Sequence, residues 1–237
     1  MEKAVNREDY LEQTQYRFER KFFTSDLCEK ELEMALKLNS FIFKEIYYQR
    51  FINNIYFDTH FLNSYYDNVD GRDNRIKARI RWYGDLFQQI EKPILEFKNK
   101  RGLVGFKDSY IINNFVFIPD ISTQEVSNIL NKSSLPQNIK LKMDLMNPVL
   151  VNRYKRKYFQ SSCKRFRVTI DSALSFYEID KTNNNLINKK VEDKAVILEV
   201  KYDKKFDEVA GQVTAQLPII LTKSSKFVQG VDLISFI

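Results

Sequence analysis

The sequence predicts an α+β fold, mainly antiparallel β, in which one sheet closes on itself and a few helices lie outside it. Three observations lead there. Five stretches alternate charged with apolar residues at every second position. Pairs of such stretches are joined by turns and read as hairpins. Helical spacing is confined to a few segments between them. Strand side chains point to opposite faces with period two, whereas a helix would scatter the same charges around its circumference. An antiparallel sheet can keep one face polar and bury the other. Nothing in the 237 residues reads as a linker or an internal repeat, so residues 1–237 are taken as one domain.

Taken in order, Tyr16–Phe23 puts Arg17, Glu19 and Lys21 on one face. Residues 25–38 space Leu32, Ala35 and Leu36 as a helix does, with Ser25 as N-cap and Glu29 in the early turns. Residues 43–58 read as two strands, the second being Asn54–Asp58. The Asn63–Asn68 stretch after His60 reads as a loop. Arg75–Trp82 is the clearest alternation: Arg75, Lys77, Arg79 and Arg81 face one way, and Ile76, Ala78, Ile80 and Trp82 the other. Residues 93–112 form a hairpin turning at Lys100-Arg101-Gly102, with Glu96, Lys98 and Lys100 on one face. Residues 120–143 are helical and broken at Pro136. Residues 148–180 form a second hairpin turning near Ser161–Lys164, with Arg165, Arg167, Thr169 and Asp171 sharing a face. The Asn-rich 181–190 stretch is a loop. Residues 195–202 place Glu199 and Lys201 opposite Val196, Leu198 and Val200, and 205–217 form a helix ending at Pro218.

The polar face carries roughly three cations for each carboxylate. Four like charges along one strand repel one another, so they call for a polyanion or for water. If the sheet closes with this face inward, the result is a tunnel lined by cations. The formal net charge of +7 and pI near 9.2 agree with a polyanionic partner. Hydrophobic residues make up 43% of the chain, enough for a sizeable core. There is no apolar leader and no run near the ~20 residues a spanning helix needs. Cys28 and Cys163 stand apart, as free thiols of a cytoplasmic protein do. A single histidine, His60, rules out a His/Cys zinc cluster. Six glycines without a Gly-rich phosphate loop leave side-chain cations to hold any phosphate.

In their order and spacing, several motifs resemble the triphosphate tunnel (CYTH-like) metalloenzymes, and specifically the VTC domain, the polyphosphate polymerase domain. They are Arg17-Phe-Glu-Arg-Lys21, Asn54-Ile-Tyr-Phe-Asp-Thr59, Arg79-Ile-Arg-Trp-Tyr-Gly84, Leu95-Glu-Phe-Lys98, Tyr154-Lys-Arg156, Arg167-Val-Thr-Ile-Asp171, Leu198-Glu-Val-Lys201 and Lys223-Ser-Ser-Lys-Phe227. The resemblance spans Arg17 to Gly230. It implies an eight-stranded antiparallel tunnel that moves the γ-phosphate of ATP onto polyphosphate with Mn²⁺ or Mg²⁺.

Carried over by position, Lys21, Arg79, Arg81, Lys98, Arg156 and Lys226 resemble the catalytic cations. Lys100, Arg167, Lys201, Lys223, Ser225 and Arg17 fall among further phosphate contacts. Glu199, with Glu19 and Glu96, resembles the metal-binding carboxylates. Lys100 stands where relatives place a histidine. Arg17 replaces the first carboxylate of the wider superfamily's Glu-x-Glu-x-Lys, which weakens a hydrolase reading. Two alternatives stand beside the polymerase: a hydrolase of triphosphate or short polyphosphate, and a polyanion binder without activity. Nucleic acid is disfavoured, because Trp82 and most aromatics lie on the apolar parity. A membrane partner is compatible with the sequence but leaves no mark in it.

Overall fold

The computed structural model describes residues 17–101, 104–179, 190–222 and 224–235. The sheet contains β1 (Arg17–Thr24), β2 (Phe43–Asp58), β3 (Asn74–Tyr83), β5 (Ile94–Arg101), β6 (Val104–Ile111), β8 (Asn147–Ser161), β9 (Phe166–Glu178) and β11 (Val196–Asp203). Their order is β1-β11-β9-β8-β2-β3-β5-β6, with every pairing antiparallel, and β10 (Lys190–Asp193) adds to β9. A separate pair, β4 (Gln88–Ile90) and β7 (Phe115–Phe117), covers one flank. The helices are α1 (Glu29–Leu38), α2 (Asn63–Val69), α3 (Thr123–Lys132), α4 (Gln137–Asp144), α5 (Asp207–Ala215) and α6 (Lys226–Ser235).

Alternation decides where the core lies. The apolar parity of β3 and β5, including Ala78, Ile80, Trp82, Leu95 and Phe97, packs outward against Phe115 and Phe117 of β7 and Val126, Leu130, Ile139 and Met143 of α3 and α4. The apolar parity of β1, β9 and β11 packs outward against Leu32 and Leu36 of α1 and Ala210 and Val213 of α5. Trp82 is a core residue whose indole N–H donates to the Asp85 carbonyl at 3.1 Å. The charged parity is thereby turned to the concave side.

Eight strands lie on one continuous path, but closure into a barrel is not seen. Among the described residues no ladder joins β1 to β6. The upper part of the free edge of β1 is taken by the chain before α6: Leu221 bridges to Phe22, and the Thr222 N–H donates to the Lys21 carbonyl at 2.9 Å. Elsewhere the seam is spanned by side chains, with Lys98 of β5 reaching Glu19 of β1 at 3.2 Å.

The element boundaries differ from expectation in four places. α1 starts at Glu29, with Cys28 rather than Ser25 as N-cap and the Cys28 N–H donating to Glu31 at 2.7 Å. Residues before it are held in a turn by the Thr24 hydroxyl, which accepts from the N–H groups of Asp26 and Leu27. Residues 43–58 form one strand, not two; register shifts against β8 at Glu45/Tyr47 and Tyr47/Arg50 change the phase of the alternation. The stretch expected as a loop after His60 is helix α2. Buried Asp58 caps it by accepting from the Ser64 and Tyr65 N–H groups. Finally, α6 is a helix that the sequence pattern did not announce. The predicted loop at 181–190 falls almost wholly outside the described residues.

α6 sits against one end of the concave side, with Phe227 5.2 Å from the Tyr56 ring. Gly230 makes that approach possible: a Cβ there would lie 2.5 Å from carbon atoms of both Leu150 and Phe176. Gly230→Ala is therefore expected to cost ~1–3 kcal/mol by overpacking. Urea denaturation reads this as a lower midpoint with an unchanged slope.

Candidate phosphate-binding lumen

The register brings the charged positions together strand by strand. Lys21 lies opposite Glu199, and Glu19 opposite Lys201. Glu199 lies opposite Thr169, and Lys201 opposite Arg167. Arg79 lies opposite Glu96, and Lys77 opposite Lys98. Directly opposed residues share a face, so these side chains all point to the concave side. On the β8–β9 pair a register shift falls at Arg153/Lys155, beside Ala173 with φ of 50°. That irregularity sets Arg156 opposite Asp171. A one-residue slip would turn Arg156 or Asp171 to the other face.

The result is a cavity of about 100 Å³ lined by Lys21, Lys77, Arg79, Arg81, Lys98, Arg156, Lys201 and Lys226. Two carboxylates, Glu19 and Glu199, line it as well. Two more pair with its cations from the wall. Glu96 is held by Arg79 at 2.7 Å, Lys107 at 2.9 Å and Arg81 at 3.4 Å. Asp171, fully buried, takes both nitrogens of the Arg156 fork and the Lys226 ammonium. Among the described residues, eight cations against four carboxylates leave a formal excess of four positive charges.

Those charges tune one another. Burial works to raise the Glu199 carboxyl, but Lys21, Lys201, Lys226 and Arg156 overcome it and hold it well below the usual range. Asp171 is likewise held low, against burial, by Arg156 and Lys226. Lys77 is the opposite case. Burial, and then Lys21, Lys98, Arg75 and Arg79, push its ammonium well below the ordinary lysine value. Its ammonium donates to the Ser225 hydroxyl at 2.7 Å. Lys98 is lowered by burial and by Lys21, though Glu19 draws it back.

Of the expected site residues, Lys21, Arg79, Arg81, Lys98, Arg156, Lys201, Ser225, Lys226, Glu19 and Glu199 line this one cavity. Glu96 stands in the wall, occupied by three cations. Arg167 lies outside the cavity, in an adjoining chamber that shares Arg156 and Lys201 with it. Lys100 lies on the same face one step beyond Lys98, opposite Arg75 and Gly105. Arg17 is on β1 opposite Asp203, and Lys223 is outside the described residues. Lys77, Asp171, Tyr56 and Tyr154 were not assigned to the site from sequence. Lys77 and Asp171 were visible on the charged parity; Tyr154 shares the parity of Arg156. Tyr56 needed the β2–β3 register, which sets it opposite Arg79.

Divalent metal fits one part of this arrangement. Glu19 Oε1 is buried and has no hydrogen-bond partner among the described residues. It lies near Glu199, the two carboxylates sharing Lys21 at 3.5 and 3.1 Å. One or two carboxylates completed by phosphate oxygens is a usual donor set for Mg²⁺. Three protein ligands do not gather: no group of three acidic, His or Cys side chains converges among the described residues. Glu96, satisfied by its three cations, stands apart from the pair.

Comparison with known proteins gives a family and a fold. A model described as "VTC domain" matches residues 2–235. No curated protein matches the chain. A Vibrio parahaemolyticus structure, proposed as an adenylate cyclase, is similar with a TM-score of 0.51 and 10% identity, covering 92% of this chain and 99% of its own. A Hippeastrum structure, proposed as an adenylyl cyclase and described with a dominant triphosphatase activity, gives a TM-score of 0.52 and 13% identity, covering 93% and 97%. At such identity these two establish the shared fold.

Proposed function

The chain belongs to the VTC domain family, and from that premise we propose that it is a polyphosphate polymerase, transferring the γ-phosphate of ATP to a growing polyphosphate chain. Family membership supports chemistry on triphosphate or polyphosphate. The observation that carries the reading is the excess of four positive charges around one cavity. Burying that many cations beside one another is costly unless an anion shares the space. A nucleoside triphosphate carries a matching charge.

In this reading Arg79 and Arg81 grip phosphate oxygens with paired N–H groups, Arg156 offers the N–H groups that Asp171 leaves free, and Lys21, Lys98 and Lys226 act as point charges along the chain. Glu96 and Asp171 hold the arginine forks in place. A terminal phosphate oxygen of the acceptor attacks the γ-phosphorus of ATP. The new P–O bond forms, the β–γ bridging bond breaks, and ADP leaves with the electron pair. The transition state is loose, so positioning and charge do most of the work. Mn²⁺ or Mg²⁺ held by Glu199 and Glu19 would supply further neutralisation of the phosphate oxygens. Arg17, at the position where the wider superfamily has a carboxylate, weakens the hydrolase alternative. The reading also places the protein in the cytoplasm, with its ATP. The described residues contain no helix long and apolar enough to cross a membrane.

Gel analysis of products after incubation with ATP and Mn²⁺ tests this. Long phosphate chains are expected. Orthophosphate alone would make the protein a hydrolase, and unchanged ATP with bound polyanion would make it a binding module.

Binding should also move protons. Free Lys77 titrates well below 10.5, because burial and four neighbouring cations oppose its charge. A bound triphosphate reverses the sign of that environment and raises its pKa. Between the free and the bound value, binding therefore takes up protons, to a limit of about one from this group. Titration calorimetry in buffers of different ionisation enthalpy measures the uptake. Lys77→Met should abolish most of it.

A further inference from the structure

Beside the lumen lies a chamber of about 530 Å³, within the size range of small-molecule sites. Arg156 and Lys201 line both spaces. A molecule whose phosphates reach these two side chains from the lumen can extend its remainder into the chamber.

The chamber's walls are not those of a phosphate channel alone. Tyr47, Tyr158 and Phe206 contribute aromatic rings to it. Tyr47 meets Tyr158 edge to face, with ring centres 5.7 Å apart, and is 58% exposed. Arg50 contacts both rings of this pair. Its Nε donates to the Tyr158 hydroxyl at 3.2 Å, and its guanidinium stacks over Tyr158 at 4.9 Å and Tyr83 at 4.5 Å. Thr169 is in the wall, and its hydroxyl has no hydrogen-bond partner among the described residues.

Resting on the polymerase reading, we propose that this chamber is the nucleoside subsite, with Tyr47 as the ring on which the base stacks. A bare phosphate chain gains nothing from aromatic walls. A nucleobase gains stacking on every such face, whatever its identity. The held rings of Tyr47 and Tyr158 lose little freedom on binding, which favours affinity. The Thr169 hydroxyl offers a donor or acceptor to the sugar. Arg165 and Arg167 also line the chamber, so a bare phosphate chain is the competing occupant.

Calorimetric titration in EDTA with ATP and with inorganic tripolyphosphate separates the two. Tyr47→Ala should weaken ATP about tenfold while leaving tripolyphosphate unchanged. Tyr47→Phe keeps the ring and should keep the ATP affinity. Equal weakening of both ligands by Tyr47→Ala, or no effect on ATP, overturns the subsite while the phosphate site stands. Wild-type protein that binds neither ligand overturns the phosphate site and the subsite together.

Discussion

Replacing Arg79 and Arg81 together by alanine is expected to weaken triphosphate binding by two to four orders of magnitude. Both guanidinium groups line the lumen, on one strand face. Hydrogen bonds to charged groups contribute ~1.5–3 kcal/mol each, so two lost contacts amount to ~3–6 kcal/mol. At ~1.4 kcal/mol per tenfold, that is ~10²–10⁴ in affinity. The same change strips two of the three cations from Glu96, which is 2% exposed. Part of any loss could then come from a disturbed sheet. The double lysine variant separates the effects. It keeps charge beside Glu96 but removes the paired N–H fork, so binding should fall between wild type and the double alanine. Calorimetry with tripolyphosphate, beside a melting curve of each variant, checks the order.

Glu199→Gln should slow turnover by ~10²-fold or more, the size of loss that follows when an enzyme is deprived of a metal-site or electrostatic contact. The substitution keeps size and removes charge. Glu199 faces Lys21 at 3.1 Å, Lys201 at 3.4 Å and Arg156 at 3.9 Å. Without metal, triphosphate should bind as well as before or more tightly, since one repelling charge has gone. With metal, the Mn²⁺ titration of turnover should shift to higher concentration. If Glu199 serves only to pair with Lys21 and Lys201, the metal titration will not move. A near-normal rate with an unmoved titration curve would remove Glu199 from the metal site.

The carboxylates' low pKa values set a further limit in acid. Glu199 and Asp171 are held below their ordinary values, so their stabilising contribution is present above those values. It is lost as pH falls through the depressed ones.

Much of the lumen was legible because strand parity is a local property. Arg75–Trp82 states its two faces outright, and its cations and its core residues fell where period two put them. The partners of those cations were harder to see. Arg156 meets Asp171 only through the irregularity beside Ala173, a residue whose sequence gives no sign of a positive φ. Lys226 reaches the lumen because Gly230 lets α6 approach Leu150 and Phe176, a contact between residues distant in sequence. The phase changes in β2 hid a continuous strand, and α2 escaped because its cap, Asp58, lies in the preceding strand. Closure was inferred from the succession of strands and turns, and the resemblance implied it as well. The free edge of β1 instead receives Leu221 and Thr222, a pairing that no periodic pattern announces.

The position of a bound nucleotide tests the lumen most directly. A crystal grown with Mn²⁺ and a non-hydrolysable ATP analogue would show the phosphates by density and the metal by anomalous scattering. Phosphates among Arg79, Arg81, Lys98, Arg156 and Lys226, with the metal against Glu199 and Glu19, are the expected result. Phosphates and metal bound only on the outer surface, with the Arg79–Glu96 and Arg156–Asp171 pairs enclosing no ligand, would contradict it.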